Sequence, residues 1–454
     1  MKSVKKFNEY NSINYFDISK EIISFWKKNK IFQKSIETRP KDKIYPFYEG
    51  PPSANGLPGI HHVMARTIKD IFCRYKTLQG YRVYRKGGWD THGLPVELQV
   101  EKKLGITKDD IGDKISVEEY NNECREAVMQ FKTKWEELTE SIGYWLDIND
   151  AYITFDNNYI ESIWWSLKKL YDNDLLYKGY TIQPYSPAAG TGLSSHELNM
   201  PGAYKTIKDT SLTAQFKVLK NDKSKKIFGK KDCYFLAWTT TPWTLPANNG
   251  LAVGKNIDYV LVETFNKYTE EIIQVVLAQN CINKFFDQEN KAKGESISFD
   301  KKNIEYKILD SFKGKDFIGL DYEQLLPYVK AEKPAFTVVS GDFVTTEEGT
   351  GIVHISLTFG SDDFNVSRKN NLPGIFVLND KNEEVPIVNK SGKFVDEISD
   401  FAGLEVKKFS KSDDLTTDEK ISIKLKKENK AFDVQKYEHS YPHCWRTDKP
   451  ILYY

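Results

Sequence analysis

The chain has 454 residues, which is too many for one ordinary hydrophobic core, so we expect two or three domains. Its 65 Lys and Arg residues against 64 Asp and Glu residues give a formal net charge of +1, which excludes a global basic field and leaves nucleic-acid binding to local patches. The 40% hydrophobic content excludes a disordered chain, and five scattered cysteines without a CxxC pair exclude a disulfide framework.

The N-terminal segment carries the first predicted helix. Residues 17–32 place four apolar side chains on one helical face behind Asp17 as the N-cap, namely Ile18, Ile22, Phe25 and Trp26. The N-terminus has no apolar signal core, and no window approaches the roughly 20 apolar residues that a membrane span requires. We therefore predict a helical segment over residues 1–43 of a soluble, cytoplasmic protein.

A strand–loop–helix–strand unit comes next. Residues 44–48 form a short apolar run that Gly50-Pro51-Pro52 end, and a loop of small residues leads to a helix that begins at Ile60. Gly80 ends this helix, and residues 81–84 start a second strand. The order predicts the opening of a parallel sheet in an α/β domain.

The loop before this helix is typical of an anion site, because backbone N–H groups and the helix dipole favour negative charge at a helix N-terminus. Gly50, Gly56 and Gly59 let the backbone approach a phosphate closely. His61 and His62 open the helix, where an imidazole can stabilise the charge that develops on a phosphate. By itself, this histidine pair favours a metal-ligand pair or a surface feature over catalysis.

Two more helical stretches, residues 117–146 and 158–177, are rich in Trp and Tyr, and we predict that Trp164 and Trp165 belong to the core. The pattern then changes after about residue 200. Segments typical of β-strands alternate with charged linkers, namely residues 210–219, 232–238 and 259–264. We predict a separate, inserted, β-barrel-like domain that ends near residue 395.

The spacing from Pro51-Pro52 through Asn55-Gly56 to His62, followed by Gly-Trp-Asp-Thr-His-Gly-Leu-Pro at residues 88–95, resembles the class I aminoacyl-tRNA synthetases in their isoleucyl form. The resemblance extends over essentially the whole chain. It implies a Rossmann-like α/β catalytic domain, ATP with Mg²⁺ as cofactor, and ligation of L-isoleucine to tRNA(Ile). It also implies a monomer when full length, without a membrane partner.

This resemblance divides the chain into four parts. Residues 1–43 are the N-terminal helical segment, 44–200 the first half of the catalytic domain, 201–395 the inserted editing domain, and 396–454 a return segment into the catalytic domain. The second half of the nucleotide-binding sheet and the anticodon-binding helices are expected beyond residue 454. We therefore expect an N-terminal fragment of a ligase, with a stand-alone editing hydrolase or an inactive tRNA-binding fragment as alternatives.

The family's His-Ile-Gly-His signature stands here as Gly59-Ile60-His61-His62. The resemblance makes His62 the second signature histidine, and places Gly59 and His61 where the family has its first histidine and its glycine. It implies His61 and His62 as catalytic residues, and an ATP site formed by Asn55, Gly56, Gly59 and His62.

The amino-acid pocket is expected to include Pro51 in its wall and Asp90 as partner of the substrate's ammonium group, because a carboxylate gives that group a charge-assisted hydrogen bond. A helix cap or turn residue is the alternative for Asp90.

Residues 238–248, 349–354 and 359–363 resemble the motifs of the isoleucyl editing domain. The resemblance assigns the terminal adenosine and the activated water to a threonine-rich segment, the 3′ ribose to His354, and the ammonium of a mischarged amino acid to Asp363. The expected editing residues of the threonine-rich segment are Thr239, Thr240, Thr241 and Asn248. An ordinary strand end is the alternative for the threonines, since Thr favours strands.

Editing has a physical reason. Isoleucine and valine differ by one methylene, which is worth about 1–3 kcal/mol, so that binding alone discriminates only about 10–200-fold. The chain departs from the family at Ser356-Leu357-Thr358, which stand in place of an Ala-Pro-Ala-like stretch.

Two features are expected to be inactive. Lys-Phe-Ser-Lys-Ser at residues 408–412 mimics the family's lysine signature, but it lies in a charged stretch before the return to the catalytic domain, where a solvated face is expected. The family's zinc positions fall on Ser186, Ala189, Cys444 and Thr447. One thiolate does not make a tetrahedral site, so no zinc and no other metal is expected to bind there.

Overall fold

A computed structural model describes residues 12–294, 296–300, 303–409 and 414–454. Contacts divide the chain into two compact units, Met1–Lys178 and Gly179–Tyr454, which we call unit 1 and unit 2. Among the residues described, none of the helices combines the length and the apolar character needed to cross a bilayer.

Unit 1 alternates helices and strands. Its helices are α1 Tyr15–Lys28, α2 Ile31–Glu37, α3 Ile60–Leu78, α4 Leu94–Leu104, α5 Val117–Val128, α6 Lys132–Ser141 and α7 Asn157–Asp172. Its strands are β1 Ile44–Tyr48, β2 Arg82–Trp89 and β3 Asp147–Ile153, and they form a parallel sheet in the order β1-β2-β3. The predicted opening of a parallel sheet is confirmed.

The first helix begins earlier than predicted. The Asn14 side chain accepts hydrogen bonds from the N–H groups of Phe16 and Asp17, so Asn14 is the N-cap of α1. Asp17 lies in the first turn, where its negative charge still suits the helix dipole. The prediction of Asp17 as the cap was therefore wrong, and the cause is a competing Asn three residues earlier.

The periodic apolar residues of α3 and α7 do not form the core of unit 1. On α3 the buried residues are Arg66, Cys73 and Thr77, whereas apolar residues such as Met64, Ile68 and Ile71 are more than half exposed. On α7, Trp164 and Trp165 are 71% and 65% exposed, so their prediction as core residues was wrong. Helical spacing shows that a helix has two faces, but it does not tell which face the neighbouring elements cover.

Unit 2 begins with β4 Pro184–Ser186, β5 Thr191–Gly192, α8 Ser195–Leu198, β6 Tyr204–Lys217, α9 Asp222–Phe228, β7 Cys233–Thr239, β8 Gly250–Val253, β9 Asp258–Phe265 and β10 Ile272–Ala278. It continues with α10 Ile282–Phe285, β11 Lys307–Lys313, α11 Gly314–Phe317, β12 Thr337–Ser340, β13 Ile352–Ile355 and α12 Ser361–Lys369. Its last elements are β14 Phe376–Leu378, β15 Glu384–Pro386, α13 Thr417–Lys427, β16 Ala431–Pro442 and β17 Leu452–Tyr453.

A mixed six-stranded sheet dominates unit 2, in the order β11-β9-β10-β7-β6-β16. Smaller sheets have the orders β12-β8-β13, β14-β15 and β17-β4-β5. The strand pairings among the described residues give open sheets and no closed barrel, so the barrel-like detail of the prediction is not confirmed.

Strands β6 and β16 form a long antiparallel ribbon, from Ala431 opposite Ala214 to Pro442 opposite Tyr204. The ribbon thus joins two segments that are more than 200 residues apart in the sequence. Next to it, Gln215 Nε2 donates to Asn429 O across 214 residues of sequence. Helix α13 packs in the same core as these strands, through Ile421 and Leu425, which are fully buried.

Candidate functional site

The first candidate site lies at the N-terminus of α3. Gly59 is the N-cap, and its N–H donates to His62 Nδ1 at 2.9 Å. An Nδ1 that accepts this bond has no proton, so the neutral His62 ring carries its proton on Nε2 and can donate it to a ligand. The loop is held from the other side, because Trp135 Nε1 donates to Gly56 O at 2.8 Å.

A cavity of about 380 Å³ opens beside this helix start. Three of the predicted ATP-binding residues line it, namely Asn55, Gly56 and His62. Arg66 and Lys69, from the following turns of α3, line it as well. The cavity therefore combines a glycine loop, a helix N-terminus, an imidazole and two cations, which is a set of groups suited to a polyphosphate.

The two cations were not predicted from the sequence. Lys69 is paired with Glu49, a carboxylate that also accepts from the Tyr144 hydroxyl, and Arg66 Nη1 donates to Thr139 Oγ1 at 2.5 Å. The signal was present in the spacing, because residues four and seven positions after His62 share its helix face. The spacing did not lead to a prediction of the two cations, because the apolar residues of α3 recur on the opposite face and that face was expected to be buried.

The two histidines differ in their surroundings. His62 is half-buried and its ring lies 4.6 Å from the Trp135 ring, whereas His61 is exposed. Burial, followed by the neighbouring charges of His61 and Arg66, lowers the pKa of His62. A Cβ added at Gly59 would lie 2.8 Å from His61 Cε1, so the glycine makes room for the His61 ring above the N-cap.

The predicted amino-acid-binding residues lie next to this loop but are not among the residues that line the cavity. The Asp90 N–H donates to Pro52 O at 3.0 Å, and Asp90 Oδ1 accepts from the His92 N–H at 3.4 Å. The second bond is that of a turn residue, which was the alternative for Asp90, yet the other carboxylate oxygen has room for a second partner. Pro51 is half-buried in the loop.

The second candidate site is the threonine-rich segment of unit 2. Strand β7 ends at Thr239, and a buried 3-10 helix, Pro242–Ala247, follows with Thr241 as its N-cap. Thr239 Oγ1 lies 3.2 Å from Thr241 Oγ1 and accepts from the Thr241 N–H at 3.1 Å. Thr240 is half-buried between them. The bonds to side chains hold the segment in a turn directly after the end of strand β7, so Thr239 is both a strand end and part of the turn.

His354 lies on β13, which pairs with β8, the strand that directly follows the threonine-rich segment. The Thr244 hydroxyl donates to Thr241 O at 2.9 Å, so its 2.9 Å bond with His354 Nε2 has the imidazole N–H as the donor. The Asn248 amide lies 3.5 Å from the remaining nitrogen, Nδ1. Burial lowers the pKa of His354 to about 4, and the ring is therefore neutral.

Thr244 and Tyr322 belong to this site and were not predicted. The Tyr322 hydroxyl donates to Asn248 Oδ1 at 2.7 Å, which fixes the orientation of the Asn248 amide. Thr244 could have been found from its spacing three residues after Thr241 in a helical turn. Tyr322 carries no local signal, because it is 74 residues away from its partner in the sequence.

Asp363 lies in the first turn of α12, and its Oδ1 accepts from the Ser356 N–H at 3.4 Å. Burial raises the pKa of its carboxyl to about 7. The carboxylate sits against the helix N-cap, since a Cβ added at Gly360 would lie 1.8 Å from Asp363 Oδ2. Through Ser356, Asp363 is tied to the chain two residues after His354. A perturbed carboxyl next to a polar cluster is typical of a functional group.

A family model for class I tRNA synthetases (I, L, M and V) matches residues 21–348, well over half of the chain. This chain belongs to the class I tRNA synthetases. The model spans both candidate sites apart from His354 and Asp363, which follow its last matched residue. The signature of Gly59–His62 thus lies in a synthetase of this class, although the roles of single residues stay predictions.

The chain is similar to curated isoleucine–tRNA ligases. It is 58% identical to the one of Cytophaga hutchinsonii over 99% of this chain and 41% of that protein, and 52% identical to one of Bacteroides fragilis over 99% and 41%. It therefore spans about two-fifths of the length of these relatives. A solved leucyl-tRNA synthetase editing domain, the cytosolic one of P. knowlesi, is 18% identical with a TM-score of 0.29, covering 37% of this chain and 66% of that chain.

The four positions predicted to correspond to zinc ligands in related synthetases lie close together here, but only one of them carries a thiol. The Cys444 thiol lies next to the side chains of Ser186 and Thr447; Ser186 Oγ accepts from the Ala189 N–H at 3.2 Å, and the buried Thr447 hydroxyl has no hydrogen-bond partner among the described residues. Burial acts to raise the pKa of the Cys444 thiol, but its polar neighbours together outweigh burial and lower the pKa. In the described part of the chain, no group of three or more His, Cys, Asp or Glu side chains is placed to hold a metal ion.

The lysine look-alike and the segment that departs from the family remain to be placed in the structure. Ser410, Lys411 and Ser412 of the lysine look-alike lie outside the described residues. Ser356 and Thr358, where the chain departs from the family, are 2% and 1% exposed, and their hydroxyl oxygens have no hydrogen-bond partner among the described residues. The departure therefore places polar groups in a buried loop beside Asp363.

Proposed function

We propose that this chain carries the activation site and the editing site of an isoleucine–tRNA ligase. The observation that supports this most strongly is the 58% identity over 99% of the chain with a protein of that name. In the proposed reaction, the isoleucine carboxylate attacks the α-phosphate of ATP, pyrophosphate leaves, and the isoleucyl group passes to tRNA(Ile). The proposed layout is a Rossmann-like first half at 44–200, an editing domain at 201–395 and a return segment at 396–454, preceded by residues 1–43.

The cavity at the start of α3 supports the nucleotide part of the proposal. Its backbone at Asn55 and Gly56, with Gly59 beside it at the N-cap of α3, would approach the phosphates, and His62 Nε2–H would donate to an oxygen of the α-phosphate as negative charge builds up there. Arg66 and Lys69 would pair with phosphate oxygens, although Lys69 shares its charge with Glu49, which lines the same cavity. Pro51 and Asp90 would hold isoleucine, with the free Asp90 carboxylate oxygen on its ammonium group.

The polar cluster of unit 2 supports the editing part. There, Thr239, Thr240 and Thr241 would hold the terminal adenosine and the water that attacks the ester of Val-tRNA(Ile). His354 Nδ1, whose bond to Asn248 is long at 3.5 Å, has a lone pair available for a ribose hydroxyl. Asp363 would bind the ammonium group of the mischarged valine.

Two assays test the proposal and separate it from its alternatives. ATP–pyrophosphate exchange, measured with this chain and with a version extended by its downstream coding sequence, tests activation of isoleucine. Hydrolysis of Val-tRNA(Ile) tests editing. Hydrolysis without exchange in either version would favour a stand-alone editing hydrolase, and neither activity in either version would leave the tRNA-binding fragment.

Replacing Gly360 by Ala is expected to lower kcat/KM for Val-tRNA(Ile) hydrolysis about 10–100-fold, the effect of moving a group in a reactive site by about 1 Å. The added Cβ would displace the Asp363 carboxylate, whereas the backbone at Gly360 (φ −158°) is extended and accepts alanine. Gly294→Ala, where the Cβ meets nothing within 4 Å, is the control. Unchanged hydrolysis in Gly360→Ala would contradict the role of Asp363.

We further propose that the zinc positions of this synthetase are metal-free, because one thiolate accompanied by hydroxyls is a poor zinc ligand set. Metal analysis of the purified protein is expected to give well under one zinc per chain, and a chelator is expected to leave the melting temperature unchanged. Stoichiometric zinc that is lost in Cys444→Ser would show that the site binds metal after all. A cytoplasmic monomer remains our expectation for the full-length protein.

A further inference from the structure

A buried ion pair joins the segment before α13 to the start of that helix. The side chains of Lys407 and Asp418 are each 5% exposed, and Lys407 Nζ lies 3.2 Å from Asp418 Oδ2. The same ammonium group lies 2.6 Å from Asp209 Oδ2, on the β6/β16 ribbon. Because a buried charge without a partner is strongly destabilising, these three groups depend on one another.

Asp418 uses its other oxygen on the editing segment. The Trp243 N–H donates to Asp418 Oδ1 at 2.8 Å, across 175 residues of sequence. Trp243 is the second residue of the 3-10 helix, and Thr241, the N-cap of that helix, makes no side-chain cap bond. The carboxylate therefore supplies from a distance the acceptor that a helix N-terminus requires.

In the sequence, Trp243 lies between two threonines of the proposed editing site. Thr241 precedes it by two residues, and Thr244 follows it directly with the 2.9 Å bond to His354 Nε2. All six residues of the 3-10 helix are buried, so the segment cannot shift without moving these groups. A fixed backbone at Trp243 thus fixes the threonines relative to His354.

We propose that Asp418, neutralised by Lys407, is a positioning residue for the hydrolysis of mischarged tRNA, and that it acts by holding the 3-10 helix in register with His354. This role rests on the proposed editing function. In this proposal, neither Asp418 nor Lys407 touches the substrate. The pair belongs to a stretch that the sequence places after the editing domain, so the return segment contributes to the editing site.

The test compares three variants in the full chain. Asp418→Ala removes the acceptor, and Asp418→Asn keeps an oxygen for the Trp243 N–H. Asp400→Ala removes an exposed carboxylate that pairs with Lys424 of the same helix and accepts from the Tyr328 hydroxyl. We expect Asp418→Ala to lower kcat for Val-tRNA(Ile) hydrolysis about 10–100-fold with KM almost unchanged. Asp418→Asn, which leaves Lys407 paired with Asp209, should recover most of that loss, and Asp400→Ala should match the wild type.

Hydrogen exchange of the amides of residues 238–248, read by mass spectrometry, reports on positioning without relying on activity. Protection of the Trp243 amide is expected to fall in Asp418→Ala and to be retained in Asp418→Asn. If the wild type hydrolyses Val-tRNA(Ile) and Asp418→Ala keeps its kcat, the positioning role is wrong although the editing function stands. An equal loss in Asp400→Ala would also overturn it, whereas a wild type without hydrolysis refutes the editing function itself.

Discussion

Replacing Asp363 by Asn is expected to reduce the hydrolysis of Val-tRNA(Ile) about 10–150-fold, because it removes a hydrogen bond between two charged groups that is worth about 1.5–3 kcal/mol. The carboxylate would bind the ammonium group of valine, and an amide cannot replace its charge. Burial raises the pKa of Asp363 to about 7, so only about half of the sites are ionised at neutral pH. In the wild type, kcat/KM for hydrolysis should therefore rise with pH through about 7 and then level off.

Asp362→Asn is the matched control. Asp362 precedes Asp363 in the same first turn of α12, but it is exposed. Asp362→Asn should leave the plateau rate unchanged and shift the pH profile only slightly to lower pH, because burial is the main cause of the raised pKa of Asp363 and the charge of Asp362 adds a smaller part. His354, whose pKa lies at about 4, contributes no titration between pH 6 and 9. A pH profile of Asp363→Asn that still rises near pH 7 would assign the titration to another group.

Asp363→Asn should be more stable than the wild type at pH 8. The ordinary pKa of an aspartate is 3.8, and the folded value is about 7, so the folded protein holds a proton that the unfolded chain has released between these values. Stability is therefore lost as pH rises through this window, and the full cost is present above pH 7. Asparagine does not ionise, so Asp363→Asn removes the cost of a buried carboxylate. The gain in melting temperature should therefore be largest at pH 8 and shrink towards pH 4.

The chain order of the fold could be read from local signals. Gly80 ends α3 with φ +86°, a conformation that glycine adopts without strain, and β1, α3 and β2 follow the predicted strand–loop–helix–strand order. What covers each element could not be read in the same way. The inner face of α3 is polar, with Arg66 bonded to Thr139 from 73 residues away, and its apolar face is the exposed one.

The candidate sites show the same limit. The resemblance to the editing motifs predicted Thr239, Thr241, Asn248 and His354, and these residues lie within one hydrogen-bonded cluster. Their roles stay predictions. Asp418 was overlooked because its link to Trp243 crosses 175 residues, and neither residue is unusual in its own segment. Groups that support a site by long-range contacts leave no local pattern.

Replacing His62 by Ala is expected to lower the rate of ATP–pyrophosphate exchange about 10²–10³-fold, the usual cost of removing one donor that stabilises transition-state charge. The measurement uses the extended version of the chain. His62→Asn separates chemistry from structure, because an asparagine oxygen can still accept from the Gly59 N–H in place of Nδ1 but offers no donor at the position of Nε2. We expect it to keep the melting temperature of the wild type and to lose exchange.

His61→Ala decides how the altered signature works. His61 is exposed and makes ring contact with His62 at 3.8 Å, whereas His62 lines the cavity. If His62 alone acts on the phosphate, His61→Ala should change the exchange rate only a few-fold, in line with a lost neighbouring charge at the surface. A loss as large as that of His62→Ala would instead mean that His61 has taken over the role of the first signature histidine, with Gly59 providing the space that its ring requires.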